Sequence, residues 1–176
     1  FTPGSTVAGN GFLVLRSPDT QIVLNNEGEG LILKNPAGNI ADSASYEGEA
    51  PQGQSFAKKS DGTFQWTQSP TPGKPNSFLV LQEKPAPQTK PQTPEKSLPT
   101  QQPKIQQNPS AQKGTAPSSY PTGIVLNEIL PSPLGPDAQE EWIEIFNQSD
   151  VEIDLFGWKI KDTKGKIGTY VFPQKI

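Results

Sequence analysis

Two stretches of this chain alternate apolar and polar positions with the period of a β-strand. The first holds runs at Phe12–Arg16, Thr20–Leu24, Leu31–Lys34, Ile40–Tyr46 and Gln54–Lys58. The second holds Ile124–Leu130, Glu141–Asn147, Trp158–Lys161 and Ile167–Phe172. A period of two sends successive side chains to opposite faces of a sheet, so each run can offer one apolar face to a core. Turn-forming residues separate the runs: Asn25-Asn26-Glu27-Gly28, Asn35-Pro36-Ala37-Gly38, Ser60-Asp61-Gly62 and Asp162-Thr163-Lys164-Gly165. No stretch carries a convincing helical pattern. Short strands with a turn signal about every ten residues predict an all-β sandwich or small barrel.

Between the two stretches the alternation stops. Gln82–Pro121 holds nine of the chain's twenty prolines and, among large apolar residues, only Leu98, Ile105 and Tyr120. Proline fixes φ and removes an amide donor, and Gln, Lys, Thr and Ser bury too little surface to offset the entropy of ordering. Residues 78–121 therefore read as an extended, mobile Pro/Gln/Lys-rich linker, with a Pro-rich docking motif for a partner as the alternative. Charge divides in the same places. Residues 1–81 carry 5 Lys/Arg against 7 Asp/Glu, residues 82–121 carry 5 against 2, and residues 122–176 carry 5 against 9. Acidic flanks argue against a duplex-binding surface, which needs a clustered positive face.

Composition removes several chemistries. The 176 residues include no Met, no Cys and no His. Without His or Cys the usual zinc, haem and iron–sulfur ligand sets cannot be assembled, nor a Ser-His-Asp or Cys-His nucleophile pair. No cofactor is expected. No apolar run approaches the roughly 20 residues that span a bilayer. A chain without Met is expected to be a piece of a longer protein.

Residues 124–165 carry an ordered set of motifs: Asn127-Glu128-Ile129, a Pro/Gly/Asp loop over Pro131–Asp137, Glu141-Trp142-Ile143-Glu144-Ile145-Phe146-Asn147, and Asp154-Leu155-Phe156-Gly157-Trp158. This set resembles the lamin tail domain family in its bacterial type, which implies an immunoglobulin-like β-sandwich. Residues 1–77 resemble the other half of the same domain, through Asn10–Leu15, the hairpin Gly30–Ile40, Ser45-Tyr46, Gly53-Gln54-Ser55, Asp61-Gly62-Thr63-Phe64-Gln65-Trp66 and Pro70-Thr71-Pro72-Gly73-Lys74-Pro75-Asn76. The order is reversed: a C-terminal portion (1–77), a linker (78–121), then an N-terminal portion of a second copy (122–176). Either each portion stands as a partial sandwich, or the two pair as a circularly permuted sandwich or a swapped dimer. A further echo sets Gly30–Asn35 with Gly38-Asn39-Ile40 against Gly157–Asp162 with Gly165-Lys166-Ile167; it is either a repeat or the shared chemistry of two hairpins.

The resemblance implies a non-catalytic binding or scaffold module in a tandem protein, extracellular or at the cell envelope. Its expected partners are a protein or envelope polymer and the halves of neighbouring lamin tail domains. The alternatives are a targeting appendage of a secreted hydrolase or nuclease, and a nucleic-acid-binding module, disfavoured by charge. Asp137, Glu140, Glu141 and Glu144 form the densest acidic cluster, and carboxylates with loop carbonyls are what calcium takes. On a strand, however, Glu140 and Glu144 share a face with Trp142 while Glu141 points with Ile143 and Ile145, so a solvated face is expected and no metal site. Paired carboxylates also cleave glycosides in a cleft, but nothing marks a cleft, and no enzyme activity is expected. Trp66, Trp142 and Trp158 are read as structural rather than as stacking platforms. Asn127 and Asn147 are read as backbone caps, and Gly157 as a turn residue.

Overall fold

The alternating runs pair into antiparallel sheets that draw on both ends of the chain. The computed structural model describes residues 6–78, 122–165 and 168–174. Residues 79–121 lie outside the described residues, so the linker reading rests on the sequence, as does the reading of Ile167. The described part contains eleven strands: β1 (Thr6–Val7), β2 (Phe12–Arg16), β3 (Gly28–Lys34), β4 (Ile40–Glu47), β5 (Ser55–Lys58), β6 (Phe64–Thr67), β7 (Ile124–Leu130), β8 (Trp142–Asn147), β9 (Ile153–Asp154), β10 (Lys159–Asp162) and β11 (Thr169–Val171).

One sheet has the order β2-β8-β7-β5-β6, a second β11-β10-β3-β4, and β1 pairs with β9. Each sheet combines strands from both portions of the sequence. β2 lies on β8 with Leu13 opposite Ile145 and Leu15 opposite Ile143. β5 lies on β7 with Phe56 opposite Ile129. β3 lies on β10 with Leu33 opposite Ile160, so the two hairpins that echo each other in sequence are neighbours. Residues 6–78 and 122–174 thus share one sandwich.

The core is the inward half of each alternation. Leu15, Leu31, Leu33, Leu126, Ile129, Ile145, Leu155, Trp158 and Ile160 are all at most 2% exposed and belong to one apolar cluster. Phe56, Phe64, Trp66 and Tyr46 extend it as a group of mutually tilted or stacked rings with centroids 5.0 to 5.6 Å apart.

Two elements correct the sequence reading. Thr20–Leu24 is not a strand. Ser17–Thr20 forms a single helical turn (α1) with Pro18 at its start, and Gln21 follows at φ +58°. Asp137–Glu140 forms a second turn (α2) where no helix is predicted.

The link between β1 and β2 packs tightly on the loop after β8. Asn10 donates its N–H to the Ser149 carbonyl at 2.8 Å, and a Cβ built on Gly9 collides with the Asp150 carbonyl. Gly9→Ala is expected to cost about 1–3 kcal/mol in denaturant unfolding. Wild-type stability in that variant would show that the loop yields freely.

Candidate functional site

The bulge between Leu126 and Glu128 shifts the register so that Glu128 and Glu144 become Cα partners across β7 and β8. Both are 0% exposed, which overturns the expectation of a solvated face for Glu144. The cover is the segment 70–77, which crosses the outer surface of this sheet. Thr71 donates its N–H to both oxygens of Glu128 at 3.1 Å, and its hydroxyl to Oε2 at 2.9 Å. Ser55 donates its hydroxyl to Oε1 of the same carboxylate. Gly73 donates its N–H to Glu144 Oε2 at 2.5 Å, from a φ of +77° that favours glycine.

Asn127 and Asn76 complete the lock. Asn127 donates to Glu144 Oε1 at 2.7 Å and to Asn76 Oδ1 at 2.9 Å. Asn76 donates in turn to the carbonyls of Lys58 at 2.8 Å and Asn127 at 3.1 Å. Burial pushes the Glu144 carboxyl up to about 7, helped by the neighbouring Glu128 charge and opposed by the Gly73 and Asn127 donors.

A second lock joins α2 and β8 to the loop before β3. Glu141, 1% exposed, accepts the Leu24 N–H on Oε2 at 3.1 Å. Its Oε1 is buried without a partner among the described residues, as is Oδ1 of Asn26, whose amide donates to Asp137 at 3.0 Å. Burial pushes Glu141 up to about 7, and the charges of Asp137 and Glu29 add to this against the Leu24 N–H. Glu29 is also buried and accepts the N–H groups of Asn25 at 3.2 Å and Gly30 at 2.6 Å. Asp162, 0% exposed, accepts the Gly168 N–H at 2.8 Å.

The sequence candidates for a metal are separated. Asp137 bonds Asn26, Glu140 is exposed on α2, and Glu144 lies beneath Gly73. Among the described residues no three His, Cys, Asp or Glu side chains gather as an ion-holding group.

Trp142 and Trp158 are 3% and 2% exposed, and Trp66 is half-buried against Tyr46 and Phe56. Asn147 holds three carbonyls, of Val7, Ala8 and Val151, at 3.1, 3.0 and 2.7 Å. Gly157, at φ +76°, donates its N–H to the Phe172 carbonyl, and Gly62, at φ +84°, lies in the turn between β5 and β6.

An open groove of about 800 Å³ lies beside the covering segment, which sequence reasoning did not anticipate. Phe12 and Phe146 stack across β2 and β8 with centroids 4.6 Å apart, and Val125 and Phe78 continue the apolar lining. Asn10, Asn76, Asn127 and Gln148 supply amide groups. Lys58 and Lys59 also line the groove, paired with Asp42 at 2.5 Å and Asp61 at 3.2 Å. The outward alternation of β2, β7 and β8 contained this signal, since Phe12, Val125 and Phe146 are apolar at positions facing away from the core. Among the described residues no helix is long and apolar enough to cross a membrane.

Residues 117–176 match the family model described as Lamin Tail Domain. No curated protein and no solved structure matches the chain. The matched segment contains the Asn127-Glu128 bulge, the strand Trp142–Asn147 and the Gly157-Trp158 turn, and its strands complete both large sheets with those of residues 6–78. Residues 117–176 are thus similar to the Lamin Tail Domain family, and the described part of that segment joins residues 6–78 in a β-sandwich of antiparallel sheets.

Proposed function

We propose that the chain is a non-catalytic binding or scaffold module from a protein with tandem lamin tail domains. In this reading residues 1–77 supply the C-terminal portion and residues 122–176 the N-terminal portion of one sandwich, with residues 78–121 as the tether between them. The module works outside the cell or at the cell envelope and docks a protein or envelope polymer in the groove around Phe12 and Phe146.

One observation supports this over catalysis. Among the described residues all five buried carboxylates, Glu29, Glu128, Glu141, Glu144 and Asp162, accept backbone N–H groups. Carboxylates 0–1% exposed beneath the loops they hold are out of hydrogen-bond reach of a substrate. The groove, by contrast, combines apolar walls with the exposed amide of Gln148, while the Asn10, Asn76 and Asn127 amides are bonded within the fold. Nucleic acid is the weaker reading because both lysines at the groove already have carboxylate partners.

The test is titration of the full chain with solubilised peptidoglycan fragments and, separately, with duplex and single-stranded oligonucleotides at low salt. Saturable, turnover-free binding of the fragments, weakened at least tenfold in Phe146→Ser, is the expected result. Cleavage of the fragments, or oligonucleotide binding that falls steeply with salt, would replace this reading with an enzyme or a nucleic-acid binder.

A further inference from the structure

We propose that the two portions of this fold exchange between molecules, so that a second copy of this chain is a specific partner. Residues 6–78 of one copy would complete a sandwich with residues 122–174 of another. This rests on the pairings in the structure and not on the tandem reading of the longer protein.

Among the described residues the strand pairings within either portion are hairpins only: β3–β4 and β5–β6 in the first, β7–β8 and β10–β11 in the second. Every pairing that joins these hairpins into sheets crosses from one portion to the other: β2–β8, β5–β7, β3–β10 and β1–β9. The apolar core is divided in the same way, with Leu15, Leu31 and Leu33 on one side and Leu126, Ile145 and Ile160 on the other. Neither portion can bury its apolar face alone.

The polar locks also cross the divide. Glu128 and Glu144 of the second portion hold Thr71 and Gly73 of the first, Glu141 holds Leu24, and Asn147 holds the carbonyls of Val7 and Ala8. A misplaced partner would leave these buried carboxylates unpaired, so the surfaces select their own complement.

What joins the portions covalently does not specify the pairing. Phe78 and Val125 line the same groove, so a short connection would bridge them, yet 43 residues, numbers 79 to 121, lie between Phe78 and Thr122. Extended, such a segment reaches up to about 140 Å. A connection of this length presents the portions to each other at an effective concentration on the order of millimolar at most, and a neighbouring copy at comparable local concentration competes on equal terms. The contacts are the same either way, so exchange loses no interaction.

The test uses full-length chains refolded together from denaturant. Phe12 and Phe146 are Cα partners across β2 and β8, and the chain has no cysteine of its own. With oxidised glutathione as the oxidant, Phe12→Cys in one chain and Phe146→Cys in another are held in register for a disulfide when β2 of one molecule meets β8 of the other. Linked heterodimer should accumulate, its share rising about tenfold for a tenfold rise in concentration below saturation. Only unlinked monomer at every concentration would overturn the proposal. So would a Phe12→Cys chain that dimerises as readily alone, since random collision would then explain the link.

A second measurement does not depend on thiols. Leu15→Asp spoils the first portion of one chain and Ile145→Asp the second portion of another, and each alone should fail to melt cooperatively. An equimolar mixture should regain a cooperative transition, carried by the intact portion of each chain. A mixture as unfolded as its components overturns the proposal.

Discussion

Replacing Glu128 by Ala is expected to destabilise the fold by about 3–5 kcal/mol, among the largest single-residue effects in the molecule. The carboxylate is fully buried and receives the Thr71 N–H, the Thr71 hydroxyl and the Ser55 hydroxyl. Removing it strands these donors under the 70–77 segment, where water does not replace the lost acceptor, and opens a cavity between β5 and β7. Loss of general packing would lower the denaturation midpoint and nothing else. Loss of the lock should in addition expose the 70–77 segment to limited proteolysis under native conditions, before global unfolding. A Glu128→Ala chain that unfolds at the wild-type midpoint, or one in which 70–77 stays protected, would show that this carboxylate does not hold the segment.

The second large effect is a stability that falls as pH rises from 5 to 8. Burial raises Glu141 and Glu144 from 4.5 to about 7, so within that window the folded chain retains protons that the unfolded chain has released. The stabilisation is complete below about pH 4.5 and is lost as pH climbs through 7. Each group can contribute at most about 3 kcal/mol. Asp61, held down to about 2 by Thr63 and Lys59, titrates well below this window and does not disturb it.

The two glutamates are distinguishable. Both oxygens of Glu144 already accept N–H donors, whereas Oε1 of Glu141 has no partner and is the place for a proton. Glu141→Gln keeps an acceptor for the Leu24 N–H and introduces no charge, so it should flatten the slope and exceed wild type in stability at pH 8. Urea midpoints at pH 5, 6.5 and 8 decide this. A wild-type slope of the opposite sign, or an unchanged slope in Glu141→Gln, would remove Glu141 as the source.

The strands were legible where alternation and sheet pairing coincide. β2 and β7 occupy the predicted runs, Phe12–Arg16 and Ile124–Leu130, because each has one face on the core and a paired neighbour on both sides or one. Thr20–Leu24 alternates without pairing into a sheet. Ile22 and Leu24 are buried and Gln21 and Val23 exposed, so the alternation is real. The Leu24 N–H, however, is satisfied by the Glu141 carboxylate 117 residues away rather than by a ladder. Alternation reports which side chains are buried, not what the backbone bonds.

The same gap explains the acidic residues. The strand period correctly separates Glu141 from Glu144, but it cannot show that residues 70–77 will roof one of them and the Leu24 loop bond the other. The groove was hidden for a related reason. Its walls come from β2, β7, β8 and the covering segment, and no local window of sequence contains them together.

The edge strand β4 carries a device whose consequence concerns solubility. It runs eight residues along the rim of its sheet, with Ile40 62% exposed, a length and position that invite another strand to add on. Asp42 in its first half turns across the sandwich to accept the Leu126 N–H at 2.9 Å and meet Lys58, and the ladder with β3 slips between Leu33 and Lys34. A strand docking on that rim would meet an irregular ladder beside a charge committed elsewhere. Open-ended growth into fibrils is thereby discouraged at the long edge nearest to permitting it, in a chain whose other strands are selected to pair.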